Sequence, residues 1–223
     1  MKNNLAIAWI KTISVLSRIV AIPEILGLKT YEYYLRTIEG LVRDLYRGDI
    51  EEGDFVGTIA DLIQAQLTRA WHEGMRENGL EPDEMEPEWQ AILDDIILSE
   101  YDYVDNFAAD IVAAREEQLD WTPLLSRAEI WANRYNDVVN QSIIATGNQK
   151  LIWIFGDTDH CSTCERLNGI VAWAEEWEEA GVVPQSPPNS NLECGGWRCQ
   201  CQLIPTTNRH TRNALDAIQQ ALS

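Results

Sequence analysis

Apolar residues recur every three or four positions over most of the first 146 residues, and that spacing predicts a series of helices. Residues 3–20 place Ile7, Ile10, Ile13, Leu16 and Ile19 on one face, and Pro23 ends the segment. Residues 31–47 repeat the pattern with Tyr34, Ile38, Leu41, Val42 and Leu45, up to the break at Gly48 and Asp49. A third helix is expected over 54–78, with Asp54 as N-cap and Gly79 as its stop. Its inner face is Phe55, Ile59, Leu62, Ile63, Leu67, Ala70 and Trp71. The acidic stretch 80–87 holds two prolines and reads as a loop.

A long helix over 87–117 follows, opened by Pro87, with Ile92, Ile96, Val104, Phe107 and Ile111 on its core side. Leu124, Ala128, Trp131, Tyr135 and Val138 define another over 123–146, closed by Gly147 and Asn148. The period then changes. Leu151–Phe155 is a short apolar run with no room for a helix before Gly156, and it predicts a buried strand. Cysteine, glycine and proline dominate the next fifty residues, and a final helix is expected over 208–222 on Leu215, Ile218 and Leu222.

These elements predict an α+β fold that is mainly α. Its parts are a basic amphipathic arm (1–29), a helical body (30–148), a cysteine-rich module with short strands (149–205) and a C-terminal helical tail (206–223).

Charge separates the arm from the rest. Lys2, Lys11, Arg18 and Lys29 against Glu24 give residues 1–29 a balance of +3, which leaves −22 on the remainder of a chain whose net charge is −19. Such an acidic body repels phosphate, so direct duplex nucleic-acid binding by it is not expected. The arm can pack on its own body, dock on another subunit, or support self-association. Lys11 and Arg18 interrupt the one long apolar stretch, so neither a membrane span nor a secretory signal is expected. A host-cytoplasmic setting follows, in which thiols stay reduced.

All five cysteines lie after residue 160: Cys161, Cys164, Cys194, Cys199 and Cys201. Cys161-Ser-Thr-Cys164 has the spacing that lets two thiolates face one tetrahedral ion, and His160 adjoins it. In Cys194-Gly-Gly-Trp-Arg-Cys199-Gln-Cys201 the glycines allow a tight turn back onto the first pair. Sulfur donors of this kind suit structural zinc, with iron a lesser option. A metal would staple a module expected to lack a large apolar core, with Trp153 and Trp197 helping to cover it. Reduced unligated thiols, later disulfides, or a redox C-x-x-C are the other readings. The second cysteine group and the missing βαβ pattern count against the redox one.

The segment from Leu151 to Gly169, with its strand tryptophan, C-x-x-C and Leu167-Asn-Gly169, and the closing Leu192–Leu203 with its C-x-C, resembles the C-terminal signature of the phage Mu F-like head morphogenesis family. Leu67-Thr-Arg-Ala-Trp-His-Glu-Gly74 resembles the helical part of those proteins more loosely. The chain departs from the family where many relatives carry a His-Pro pair before the C-x-C; Cys194 stands in that neighbourhood. The resemblance implies a minor head protein of the virion, assembled in the host cytoplasm. It would contact portal or major capsid protein in head morphogenesis or DNA delivery, with a capsid decoration protein as the alternative.

No phosphate-cradling loop, nucleophile elbow or H-E-x-x-H motif is present. His72 is expected on a helix surface, His210 exposed, and Asp94-Asp95, Glu116-Glu117 and Glu175-Glu176 on solvated faces. No catalytic residue is assigned and no enzyme activity is expected; a small thiol- or zinc-dependent enzyme is the contrasting possibility.

Overall fold

The computed structural model describes residues 30–156, 160–197 and 199–223. The expected arm at 1–29 lies outside the described residues. The elements in chain order are α1 (Thr30–Arg47), α2 (Glu52–Glu77), a 3-10 turn (Pro82–Glu84), α3 (Pro87–Glu116) and α4 (Thr122–Thr146). There follow β1 (Lys150–Ile154), α5 (Ser162–Leu167), β2 (Val171–Trp173), α6 (Ala174–Glu179), β3 (Gln202–Pro205) and α7 (Ala214–Leu222). The fold is mainly helical, with one small three-stranded sheet and a C-terminal helix, as expected.

The four long helices fall within two residues of their predicted bounds. Apolar side chains three and four apart share a helix face, and burying that face supplies most of the helix's stability. Two details differ. Asp54 lies inside α2, which starts at Glu52, so it is not the N-cap. On α3, Ile92 is 41% exposed, while Leu93 and Ile97 take the inward positions beside Ile96.

The chain divides into two compact units that do not follow the linear boundaries expected at 148 and 205. One is made, among the described residues, of residues 30–66 with Ile97–Ala132. Its core holds Tyr34, Ile38, Val42, Phe55, Ile59, Leu62, Phe107 and Ile111, all essentially inaccessible. Phe107 is its aromatic centre, with ring centroids 6.0 Å from Phe55 and 4.7 Å from Trp131. The Arg127 guanidinium lies 4.6 Å above the same ring. Arg115 donates to the Leu45 carbonyl near the end of α1, which also accepts from the Gly48 N–H at 3.0 Å.

The other unit is Leu67–Ile96 with Asn133–Ser223. The second half of α2 meets α4 here through Gly74. A Cβ at that position would come within 2.5 Å of the Val139 carbonyl and 2.6 Å of Ser142 Cβ. Ser142 Oγ donates to the Trp71 carbonyl at 2.7 Å, and Asn78 donates to the Ile143 carbonyl at 2.9 Å.

The sheet of this unit has the order β2-β1-β3, with both pairs antiparallel. The predicted strand is the central one, at 150–154, and buries Leu151 and Trp153 on one face. Leu151, Trp153, Leu167, Ala172, Trp177, Val182, Leu192, Leu203 and Ile218 are buried in one apolar cluster. The cysteine-rich region therefore has a core of its own, contrary to expectation. The C-terminal helix is not a separate tail: it starts at Ala214, not 208, and packs Ala214, Ile218 and Ala221 into the same cluster, leaving Leu215 and Leu222 half-buried.

Candidate metal centre

The site forms where β1 ends and β3 begins. These strands are antiparallel, with Trp153 opposite Leu203 and Ile154 opposite Gln202, so the residues after β1 must lie beside the residues before β3. Gly156 makes the approach close enough, since a Cβ there would fall 2.3 Å from the Gln200 carbonyl oxygen and Cβ. The C-x-x-C that follows β1 is thus carried to the C-x-C that precedes β3.

Local chemistry shapes each half. Cys161 caps α5, its sulfur accepting from the Cys164 N–H at 3.4 Å, which turns both thiols of the C-x-x-C to one side. Leu167-Asn-Gly169 then returns the chain. Leu167 is buried, and Gly169, at φ +84°, donates to the Trp153 carbonyl at 2.9 Å, turning the chain toward β2 alongside β1. On the other side, Gly195 and Gly196 adopt φ of +64° and +80°, which L side chains rarely take. A Cβ on Gly196 would also meet the Ser186 carbonyl at 2.9 Å. This tight turn brings Cys194 to the first pair, as its sequence suggests. Glu193 ties the two segments by accepting from the Ser162 N–H at 3.0 Å and the Ser162 hydroxyl at 2.5 Å.

All five predicted cysteines come together. Their thiols are free, with no disulfide among the described residues. Cys161, Cys164 and Cys194 have sulfurs mutually within 4.8 Å, and so do Cys164, Cys199 and Cys201. The cluster can hold a metal ion. Cys164 and Cys201 are buried, and the other three are half-buried. His160 Nδ1 lies 3.7 Å from the Cys201 sulfur, with its imidazole stacked on Phe155 at 3.9 Å between centroids. Of the two expected covering tryptophans, Trp153 is buried beneath the site, whereas Trp197 is 43% exposed and does not seal it.

The ionisation of the thiols follows from their packing. The thiols of Cys164 and Cys199 donate to Cys201; together with the Gly156 N–H they hold its pKa down to about 4. The Trp153 indole N–H adds to this pull on the Cys201 thiolate. At Cys161 burial opposes ionisation, but donation from the Cys164 N–H and from Cys194 outweighs it and lowers the pKa. Cys164 is pushed up by donating to Cys199 and Cys201 and by burial. Burial pushes Cys194 up to about 11. Cys199 accepts from Cys164, yet its donation to Cys201 and its burial raise it. Negative charge therefore gathers on Cys201, while protons on Cys164, Cys194 and Cys199 stand where a cation would bind.

Sequence reasoning missed the supporting groups. Gly156, Glu193 and Phe155 each adjoin a landmark in the chain, but their roles depend on what lies across the fold. Gln185, buried and donating to the Cys201 carbonyl at 2.9 Å, left no signal at all. His210 is half-buried rather than exposed, 2.6 Å from Glu176, so Glu176 is not merely a solvated charge. His72 is half-buried on α2.

No protein-family model, curated protein or solved structure matches the chain. Among the described residues, no helix is long and apolar enough to cross a membrane.

Proposed function

We propose that the chain is a virion assembly protein of a tailed phage, a minor head protein working with portal or major capsid protein, and that its cysteine cluster binds zinc as a structural staple. The observation that carries the proposal is the convergence of the motifs that underlie the family resemblance. The strand tryptophan, the C-x-x-C, the Leu-x-Gly turn and the C-x-C meet in one small core around Cys164. A motif set that closes on itself in this way serves a single local purpose. Sulfur donors in this number suit a soft divalent ion, and thiolate-rich zinc sites are structural.

The core of this region changes what zinc does there. It need not nucleate the fold. It locks the C-x-x-C at Cys161–Cys164 and the cysteines Cys194, Cys199 and Cys201 onto the end of the sheet.

The test is incorporation. The tagged chain, produced together with portal, scaffold and major capsid proteins of a tailed phage, is expected to co-sediment with procapsids at low copy number. Procapsids that form normally while the chain stays unassembled would overturn the virion reading. Protein purified under reducing, chelator-free conditions is expected to carry stoichiometric zinc, and its absence would overturn the metal reading.

A further inference from the structure

The five sulfurs do not form one coordination shell. Around a single tetrahedral zinc, with Zn–S bonds of about 2.3 Å, sulfurs stand about 3.8 Å apart and can never exceed about 4.6 Å. The cysteines meet a 4.8 Å limit only as two triads, Cys161–Cys164–Cys194 and Cys164–Cys199–Cys201; among the described residues no set of four meets it. Cys164 is the one sulfur common to both.

We propose that the cluster holds two divalent zinc ions bridged by the Cys164 thiolate, with Cys161 and Cys194 completing the sulfur ligands of one and Cys199 and Cys201 those of the other. This deepens the metal reading above and rests on it. Two arguments support it beyond the triads. First, Cys164 is buried between the two groups, on the first turn of α5, where a bridging ligand must sit.

Second, charge favours two ions. Five thiolates with two dications leave a single negative charge, whereas one dication with four thiolates leaves two and strands a fifth sulfur beside them. A partly buried site favours the arrangement with less uncompensated charge. Each ion that binds displaces thiol protons to solvent. Each ion has three sulfur ligands from the chain and takes its fourth from water at the half-buried edge of the cluster.

Native mass spectrometry and elemental analysis of the full chain, purified with reductant and without chelator, are expected to find two zinc ions per chain. Cys194→Ser and Cys199→Ser are each expected to retain one. After exchange into cadmium, the metal NMR spectrum is expected to show two resonances split by each other through the shared sulfur. One ion per wild-type chain would overturn the bridge and leave the metal reading standing. No ion would overturn both. Two cadmium resonances without mutual splitting would also overturn the bridge. If the serine variants do not fold, the wild-type stoichiometry and cadmium spectrum decide the matter.

Discussion

Phe107 and Trp153 are both buried aromatic residues, and each stands at the centre of its unit, yet they are held in different ways. Phe107 lies in a core of helix faces. Phe55, Phe107 and Trp131 meet because each occupies the inward stripe of its own helix, and residues on one stripe are three or four apart in the chain. Trp153 lies in a core of distant pieces. It packs 5.7 Å from Trp177, its strand pairs with residues fifty positions later, and sulfurs from residues 161 to 201 gather above it. The first kind of core tolerates local error, because every helix turn repeats the same information. The second depends on single residues: one glycine at the strand end, one turn at Gly195-Gly196, one shared cysteine.

Removing the proposed metal is the strongest way to break this contrast. Chelation under reducing conditions, or Cys164→Ser, is expected to loosen residues 160–201 and to change the near-ultraviolet signal of Trp153 and Trp177. The helical far-ultraviolet signal should largely remain. The cost should stay below the roughly 10 kcal/mol that zinc contributes in peptides with no core of their own. Loss of all helical signal on chelation would show that the metal organises far more than its own region.

Large cavities opened in each unit sharpen it further. Phe107→Ala and Trp177→Ala are each expected to cost about 3–5 kcal/mol in chemical unfolding. Only Trp177→Ala should weaken metal retention, read by the release of zinc to a chromogenic chelator. Equal metal release from both variants would mean that the site is not tuned by its own core.

Glycine substitutions probe the same difference with smaller effects. Gly74→Ala is expected to destabilise by about 1–3 kcal/mol, because its Cβ would collide with Val139 and Ser142. Gly57→Ala, in the helix interior with open space around it, should stabilise by about 0.5–1 kcal/mol. Melting temperatures that move in the same direction for both would contradict the close packing at Gly74.

The smallest effect concerns His72. Burial, with the nearby Arg76 charge, lowers its pKa below the usual 6.5. The unfolded chain then binds a proton first as pH falls, so this residue costs nothing above about 6.5 and destabilises slightly below it. An NMR titration of the His72 ring should give a midpoint under 6.5; a midpoint above it would remove the effect.

The legibility of the two regions follows the same division. The stripe on α2 was readable residue by residue, and every one of its seven predicted inward positions is buried. Ile92 was misassigned because it and Leu93 are both apolar neighbours, and spacing alone cannot say which faces inward. The cysteines were readable as a ligand set because C-x-x-C and C-x-C are local patterns. Their surroundings were not. β2 and β3 are three and four residues long, too short for any alternation to show, and they exist because β1 offers them partners. The last helix begins at Ala214 rather than 208, where its small side chains can enter the core, and neither Ala214 nor Ala221 stands out in a hydrophobic pattern.

What the sequence determined by itself is therefore what repeats or sits close together: the long helices, the central strand, the turn-forming glycines and the five sulfur donors. Tertiary structure alone decided which halves of α2, α3 and α4 join which unit, and that the cysteine region has a core of its own. It also divided the sulfurs into two triads around Cys164. The physical reason is one of distance along the chain. Helix formation and turns are governed by neighbours within four residues. The placement of Cys201 against Gly156, and of Cys194 against Cys161, depends on strand register across some forty residues, a relation that no local spacing encodes.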